Sequence, residues 1–216
     1  MKKLIFYLSV MGLFIAWTYD QIGGGSFTSF PAPAKGEDVA TFAGGCFWAM
    51  EEAMSELNGV NQVVSGYAGG TVKNPTYEQV CSRTTGHAES VQIYYNPKVI
   101  SYATLVEAFF YAHDPTTLNR QGPDVGDDYR SAVFYRTPTE RQIVEDIIRK
   151  VTISGHYKNA IVTQIEPFKE IYPAEKYHQD YFKNHPDKPY IRKVSLPKVM
   201  KMRKEMSGRL KPEFRI

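Results

Sequence analysis

The chain has 216 residues, 43% of them hydrophobic and 23% charged, with a net charge of only +3. That length and apolar content allow one sizeable core, while the near balance of charge argues against nucleic acid as a partner. Two cysteines, and five histidines without close ligand spacing, argue against a disulfide framework, a structural zinc site or metal catalysis.

At the N-terminus, Lys2 and Lys3 precede an apolar run from Leu4 to Trp17, the pattern of an export signal. The run is short for a membrane span, no Ala-x-Ala site follows it, and no cysteine follows that could carry a lipid. Residues 1–22 are therefore expected to be a signal peptide or a signal-anchor, with 4–17 as the membrane tether. The folded part would then be periplasmic, or anchored and facing outside the cytoplasm; a cytoplasmic protein is the alternative. Residues 23–37 are rich in Gly, Ser, Pro and Ala and read as a flexible linker, and one domain is expected over 38–216.

Val39 to Ala43 predicts a strand, followed by a helix with Met50, Met54 and Leu57 on one face and Glu51, Glu52 and Glu56 mostly off it. Gly59 stops that helix, Val60 to Tyr67 predicts a second strand, and Gly66 to Pro75 a glycine-rich loop. Val91, Ile93 and Tyr95 alternate with Ser90, Gln92 and Tyr94, which predicts a half-buried strand. Ser101 caps a helix carrying Leu105, Val106, Phe109 and Phe110, and a long polar loop runs from Asp114 to Arg130. A strand at Ser131 to Tyr135 precedes Thr137-Pro138-Thr139-Glu140, a capping box that opens a helix ended by Gly155. Ile161 to Ile165 predicts the last clear strand, and Ser195 to about Met206 a basic C-terminal helix that packs on the domain. The order of elements suggests an α+β domain with helices packed on a mixed sheet.

Cys46 stands at a strand-to-helix junction in Gly44-Gly45-Cys46-Phe47-Trp48. Free N–H groups at a helix start favour a thiolate, and the glycines permit a tight turn that leaves the sulfur accessible. A thiolate nucleophile needs a proton donor for the oxygen that gains charge. Glu89 precedes Val91 and Ile93 by two and four residues, so it shares their apolar face, where burial would raise its pKa. A solvent-facing Glu89 at the strand end is the competing reading. Tyr77 and Tyr129 are phenols on loops, and Cys81 reads as a buried structural thiol.

Gly44-Gly45-Cys46-Phe47-Trp48, Gly66-Tyr67-Ala68-Gly69-Gly70, Asn74-Pro75-Thr76-Tyr77 and Thr85-Gly86-His87-Ala88-Glu89 occur in this order. With His113-Asp114-Pro115, Arg120-Gln121-Gly122, Asp128-Tyr129-Arg130-Ser131 and His178-Gln179-Asp180-Tyr181, the pattern closely resembles the A-type peptide-methionine sulfoxide reductases over about Val39 to Tyr181. The resemblance implies a two-layer α/β sandwich with a mixed sheet and a ferredoxin-like core, and thiol-dependent reduction of the S epimer of methionine sulfoxide, free or in proteins, with no cofactor. It implies Cys46 as nucleophile, Glu89 as the acid, Tyr77 and Tyr129 as hydrogen-bond donors to the sulfoxide oxygen, and Asp124 as the acidic residue of the active-site loop. Phe47 and Trp48 would form the wall for the S-methyl group, with Gly45 and His178 in the substrate-binding set.

Many members of that family carry resolving cysteines in a glycine-rich tail, whereas this chain has none after Cys81. Either an external thiol (thioredoxin, a glutaredoxin-like protein or a small thiol) reduces Cys46, which is the favoured reading, or Cys81 has been recruited. Ala49 replaces a glycine that often follows the tryptophan. A monomer is expected. Two other readings remain at this stage: a Cys–His hydrolase using His87 or His178, and a tethered module that binds methionine without turnover.

Overall fold

The computed structural model describes residues 26–215, so the expected signal or anchor at 1–22 lies outside the described residues. Strands β1 (Asp38–Gly44), β2 (Val60–Ala68), β3 (Ala88–Tyr95) and β6 (Ser131–Tyr135) form the middle of a six-stranded sheet ordered β7-β6-β1-β3-β2-β8. Strands β7 (Gln164–Pro167) and β8 (Ile171–Pro173) are its edges, and β4 (Arg120–Gln121) pairs with β5 (Asp124–Val125) as a separate short hairpin. Among the described residues only the β6–β7 pair is parallel in this sheet, so the sheet is mixed as expected. Helix α1 (Phe47–Ser55) joins β1 to β2, and α3 (Tyr102–Ala112) joins β3 toward β6. These two units give the ferredoxin-like strand order within an α+β fold.

The main core lies between the sheet and its helices. Phe42, Val91 and Ile93 from the strands meet Met50, Met54, Leu105 and Phe109 from α1 and α3, all of them buried. Helix α2 (Tyr77–Cys81) is a single turn, held by a reciprocal cap in which Thr76 and Gln79 exchange side-chain-to-backbone hydrogen bonds. Helix α4 (Pro138–Ile153) begins at Thr137, whose Oγ1 accepts from Glu140 N–H at 3.1 Å. The glutamate arm of the expected capping box reaches one residue further back, to Arg136 N–H.

Several expectations change. β3 is buried on both faces, where alternation predicted one solvated face. It is central in the sheet, and its polar side is covered: Gln92 donates to the Tyr94 hydroxyl at 2.7 Å, and Tyr94 donates in turn to Pro31 O at 2.8 Å. The segment expected as a flexible linker is therefore docked over its described part. Phe27 bridges Glu175, Thr28 N–H donates to Ala174 O, and Lys176 N–H donates to Ser26 O. The long loop from Asp114 is organised by the β4–β5 hairpin and a 3-10 turn at Asp127–Tyr129. The strand expected over Ile161 to Ile165 starts at Gln164, because Val162 N–H turns to Pro115 O, and it is followed by β8, which was not expected.

Glu51 and Glu52 of α1 and Glu56 at its C-terminal end are also buried, against the reading that placed them mostly off the packed face. Helices α5 (Tyr181–Asn184) and α6 (Leu196–Glu205) lie over that side and supply their partners. Arg203 clamps Glu56 with two hydrogen bonds of 2.7 and 2.6 Å, Asp180 N–H donates to Glu51, and Lys183 sits 3.9 Å from Glu52. Burial pushes Glu51 up to about 8 and Glu52 to about 7. The C-terminal segment thus belongs to the core packing, and Leu210 bridges Leu57 at the end of α1. Replacing Arg203 with Ala strands a carboxylate that is 0% exposed. Urea denaturation should show a loss of about 3–5 kcal/mol, with Glu56→Gln in the same background recovering part of it.

Candidate active site

Cys46 is the residue between β1 and α1, and the turn that delivers it has strict backbone needs. Gly45 sits at φ +83°, and a Cβ there would come within 2.6 Å of Gln121 Cβ. Gln121 is itself fixed, accepting from Asp114 N–H at 3.0 Å and donating to Asp114 O at 2.9 Å. Gly45 therefore works by backbone shape against the β4–β5 hairpin and is not on the cavity wall, where the resemblance had put it among substrate contacts.

A cavity of about 390 Å³ opens above the sulfur. Cys46, Trp48, Tyr77, Glu89, Asp124 and Tyr129 line it together with Tyr181, Lys188, Pro189 and Tyr190. Six of the expected site residues thus meet around one space. Residues 43 to 83 positions away from Cys46 are brought there by β3, by the turn at 127–129 and by the short hairpin.

Glu89 is 3% exposed and points inward, which decides between the two readings of this residue. Its Oε2 accepts from Phe47 N–H at 3.0 Å, so the free donor at the start of α1 goes to the carboxyl. Burial, reinforced by the charges of Asp128 and Asp124, pushes Glu89 up to about 8. Near neutral pH it is a proton donor. Tyr77 and Tyr129 are pushed up by burial and by Glu89, so both phenols keep their protons. Tyr77 is placed by Glu175, which accepts from Tyr77 N–H and from the Tyr67 hydroxyl, both at 2.9 Å. Asp124 accepts from the Tyr190 hydroxyl.

Cys46 corrects one expectation. Its thiol is 6% exposed, and burial together with the adjacent Glu89 pushes it well above the usual thiol range. The Trp48 N–H, the Tyr190 hydroxyl and Lys198 pull the other way but do not outweigh the lost hydration. The resting sulfur is a thiol, and its ionisation belongs to turnover.

Phe47 and His178 stand one layer behind the cavity. Phe47 is 1% exposed, with its ring 5.9 Å from Tyr67 and 4.9 Å from His178. His178 Nδ1 accepts from Trp48 Nε1–H at 3.1 Å, and the ring lies 4.5 Å from Tyr77. Burial pushes His178 down to about 4, so it is neutral and orients the aromatic wall. The wall facing the cavity is Trp48, stacked on Tyr181 at 3.8 Å and edge-on to Tyr190. Tyr181, Lys188, Pro189 and Tyr190 come from the stretch between the last expected strand and the C-terminal helix, where the sequence predicts no clear element. The density of aromatics and prolines from Tyr177 to Tyr190 was the available signal.

Neither histidine offered for a hydrolase serves Cys46. His178 is committed to Trp48, and His87 accepts from Gly70 N–H and contacts Val72 O at 2.8 Å. No group of three or more His, Cys, Asp or Glu among the described residues is arranged to hold a metal.

A buried thiol, a protonated carboxyl and two protonated phenols turned toward one apolar cavity define a thiol oxidoreductase that removes a polarised oxygen. The family model of the peptide methionine sulfoxide reductases matches residues 38–210. The MsrA of Haloquadratum walsbyi is 53% identical over 173 residues, which cover 80% of this chain and 98% of that protein. The reduced form of Mxr1 from Saccharomyces cerevisiae has TM-score 0.69 at 35% identity, covering 76% of this chain and 94% of that one. A structure of Mxr1 in complex with Trx2 has TM-score 0.51 at 28% identity, covering 71% and 91%. The chain belongs to the peptide methionine sulfoxide reductase family. The match extends past Tyr181 to residue 210 and so takes in the basic C-terminal helix.

Glu89 can donate only while protonated, so methionine sulfoxide reduction should hold below about pH 8 and fall as pH rises through that value. Glu89→Gln should lower kcat by about 10²–10⁴-fold and remove that fall; stopped reactions across pH 6–10 check both.

Proposed function

We propose that this protein reduces methionine sulfoxide in peptides and as the free amino acid, at Cys46 and without a prosthetic group. The observation that carries the assignment of roles is the convergence of Cys46, Glu89, Tyr77 and Tyr129 on one cavity. The sulfoxide oxygen lies against the Glu89 carboxyl and the two phenols, and the S-methyl group against Trp48, Tyr181 and Tyr190. Glu89 passes its proton to the oxygen, and the sulfur of Cys46 attacks the now electrophilic sulfoxide sulfur. The thiol proton goes to Glu89, and in the resulting Cys46–S–S(OH) adduct the hydroxyl oxygen bonds to the Cys46 sulfur as the S–S bond and the original S–O bond break, so methionine leaves. Cys46 retains the oxygen as a sulfenic acid, the reversible rung of thiol oxidation. Two external thiols then return it to the thiol, releasing water and a disulfide.

An external thiol fits the absence of cysteine beyond Cys81 in the sequence. A thioredoxin is the reductant we assign, since the Mxr1 structure with Trx2 pairs a relative with such a protein. The stereochemical choice follows from three fixed directions: oxygen to the acid, methyl to the aromatic wall, main chain to the mouth. Inverting the sulfur would exchange two of these groups, so one epimer fits, and we assign the S epimer.

We further propose an exported location, on Lys2, Lys3 and the apolar run Leu4–Trp17. Among the described residues no helix is long and apolar enough to cross a membrane. Fractionation of cells expressing the full chain tests this, and a wholly cytoplasmic protein would refute it.

Cys46→Ser should abolish conversion of epimer-resolved methionine sulfoxide with thioredoxin, while Cys81→Ser keeps steady turnover within about twofold. Mass analysis of the untreated protein after one equivalent of substrate should find one oxygen on Cys46 and no internal disulfide; a Cys46–Cys81 disulfide would reverse the assignment of the reductant.

A further inference from the structure

The basic C-terminal helix carries two partly buried lysines, and they are treated differently. Lys201 Nζ donates to the Tyr157 hydroxyl at 2.6 Å and lies 4.4 Å from the centre of its ring. Lys198, in the first turn of α6, has its Nζ buried with no hydrogen-bond partner among the described residues. An unpartnered ammonium out of water is costly, and a hydroxyl or carbonyl partner of the kind Lys201 has would reduce that cost. Such an arrangement suits a site where the matching anion forms only during reaction.

The charges that act on Lys198 are those of Cys46, Asp124 and Glu89, and they oppose the burial that lowers its pKa. Asp124 is already engaged by the Tyr190 hydroxyl, and Glu89 by Phe47 N–H. His113, which feels both Lys198 and Lys201, is neutral because burial pushes it down to about 3. Lys188 is at the cavity wall, and Tyr190 and the Trp48 N–H contribute to the setting of Cys46. Cys46 is thus the group around Lys198 whose charge appears only during turnover, and the Trp48 backbone N–H and the Tyr190 hydroxyl offer it hydrogen bonds but no full positive charge.

We propose that Lys198 is the resident cation of this site, holding the negative charge that develops on the Cys46 sulfur as it attacks the sulfoxide, and again when the sulfenic acid ionises. Lys198 gains and loses no proton in the step; the thiol proton passes to Glu89 as the Glu89 proton passes to oxygen. It acts through Cys46 and is a positioning residue in the electrostatic sense. The inference rests on Cys46 as nucleophile, and Cys46→Ser retaining turnover would remove that premise whatever Lys198 does.

The test uses the full chain with Lys198→Met, Lys198→Arg and Lys198→Gln. Iodoacetamide labelling is followed on the Cys46 peptide by mass spectrometry from pH 6 to 10, with kcat and KM measured on methionine sulfoxide and dithiothreitol. Lys198→Met should label Cys46 about tenfold more slowly at pH 8, a shift of about one pH unit. Its kcat should fall at least about tenfold with KM within about twofold, and Lys198→Arg should recover most of both. Melting of Lys198→Met should be no lower than that of the parent, since an unpaired buried charge has been removed. Should it lose cooperative melting, Lys198→Gln carries the same comparison. A Cys46 labelling profile that overlays the parent in the charge-removing variants would overturn the proposal, even if kcat falls.

Discussion

The hydrogen bond from Phe47 N–H to Glu89 sets the terms for the rest of the site. It ties the first turn of α1 to the central strand of the sheet, so the nucleophile and the acid are held by one contact between the two layers of the fold. Glu89 is thereby kept inside an apolar core, where its neutral form is favoured. A carboxylate free to reach solvent would ionise near its ordinary value and could not serve as an acid at neutral pH. The same burial suppresses ionisation of Cys46. Acid strength and nucleophilicity are therefore set against each other, and the groups around the sulfur have to restore what burial removes.

The aromatic wall answers a different constraint. A thioether is apolar and a sulfoxide oxygen is not, so the cavity has to separate the two chemistries over a few ångströms. Trp48 is fixed from behind by His178 and from the side by Tyr181, which leaves its face to the cavity while the phenols keep to the other side. His178 contributes by shape and by one accepted hydrogen bond, not by proton transfer. Its displacement from the cavity wall, and that of Phe47, show a supporting layer that is as specific as the lining.

Much of this was legible in the sequence because the signals are local. The strand–Gly–Gly–Cys–helix junction, the period-two run after Glu89 and the cap at Thr137 each state their geometry within a few residues. The features that escaped are those set by distant partners. Nothing local says that Glu51, Glu52 and Glu56 are buried, since their cover comes from Asp180, Lys183 and Arg203 far along the chain. β3 reads as half-exposed because its polar face is satisfied by the segment around Pro31 rather than by water. Tyr181 to Tyr190 lacks any period, yet it forms one side of the cavity. The helix start at Cys46 favours a thiolate locally, but the burial that opposes it comes from residues far along the chain.

The stack of Trp48 on Tyr181 has a consequence outside chemistry. The chain contains two tryptophans, and Trp48 is the one within the described residues. Its indole faces the reaction cavity, donates to His178 and lies 3.8 Å from a parallel phenol. Such an indole is an emitter whose brightness depends on its immediate neighbours. The protein consequently carries its own optical gauge, with the filling of the cavity and the oxygen arriving on Cys46 both written in the light from a single ring.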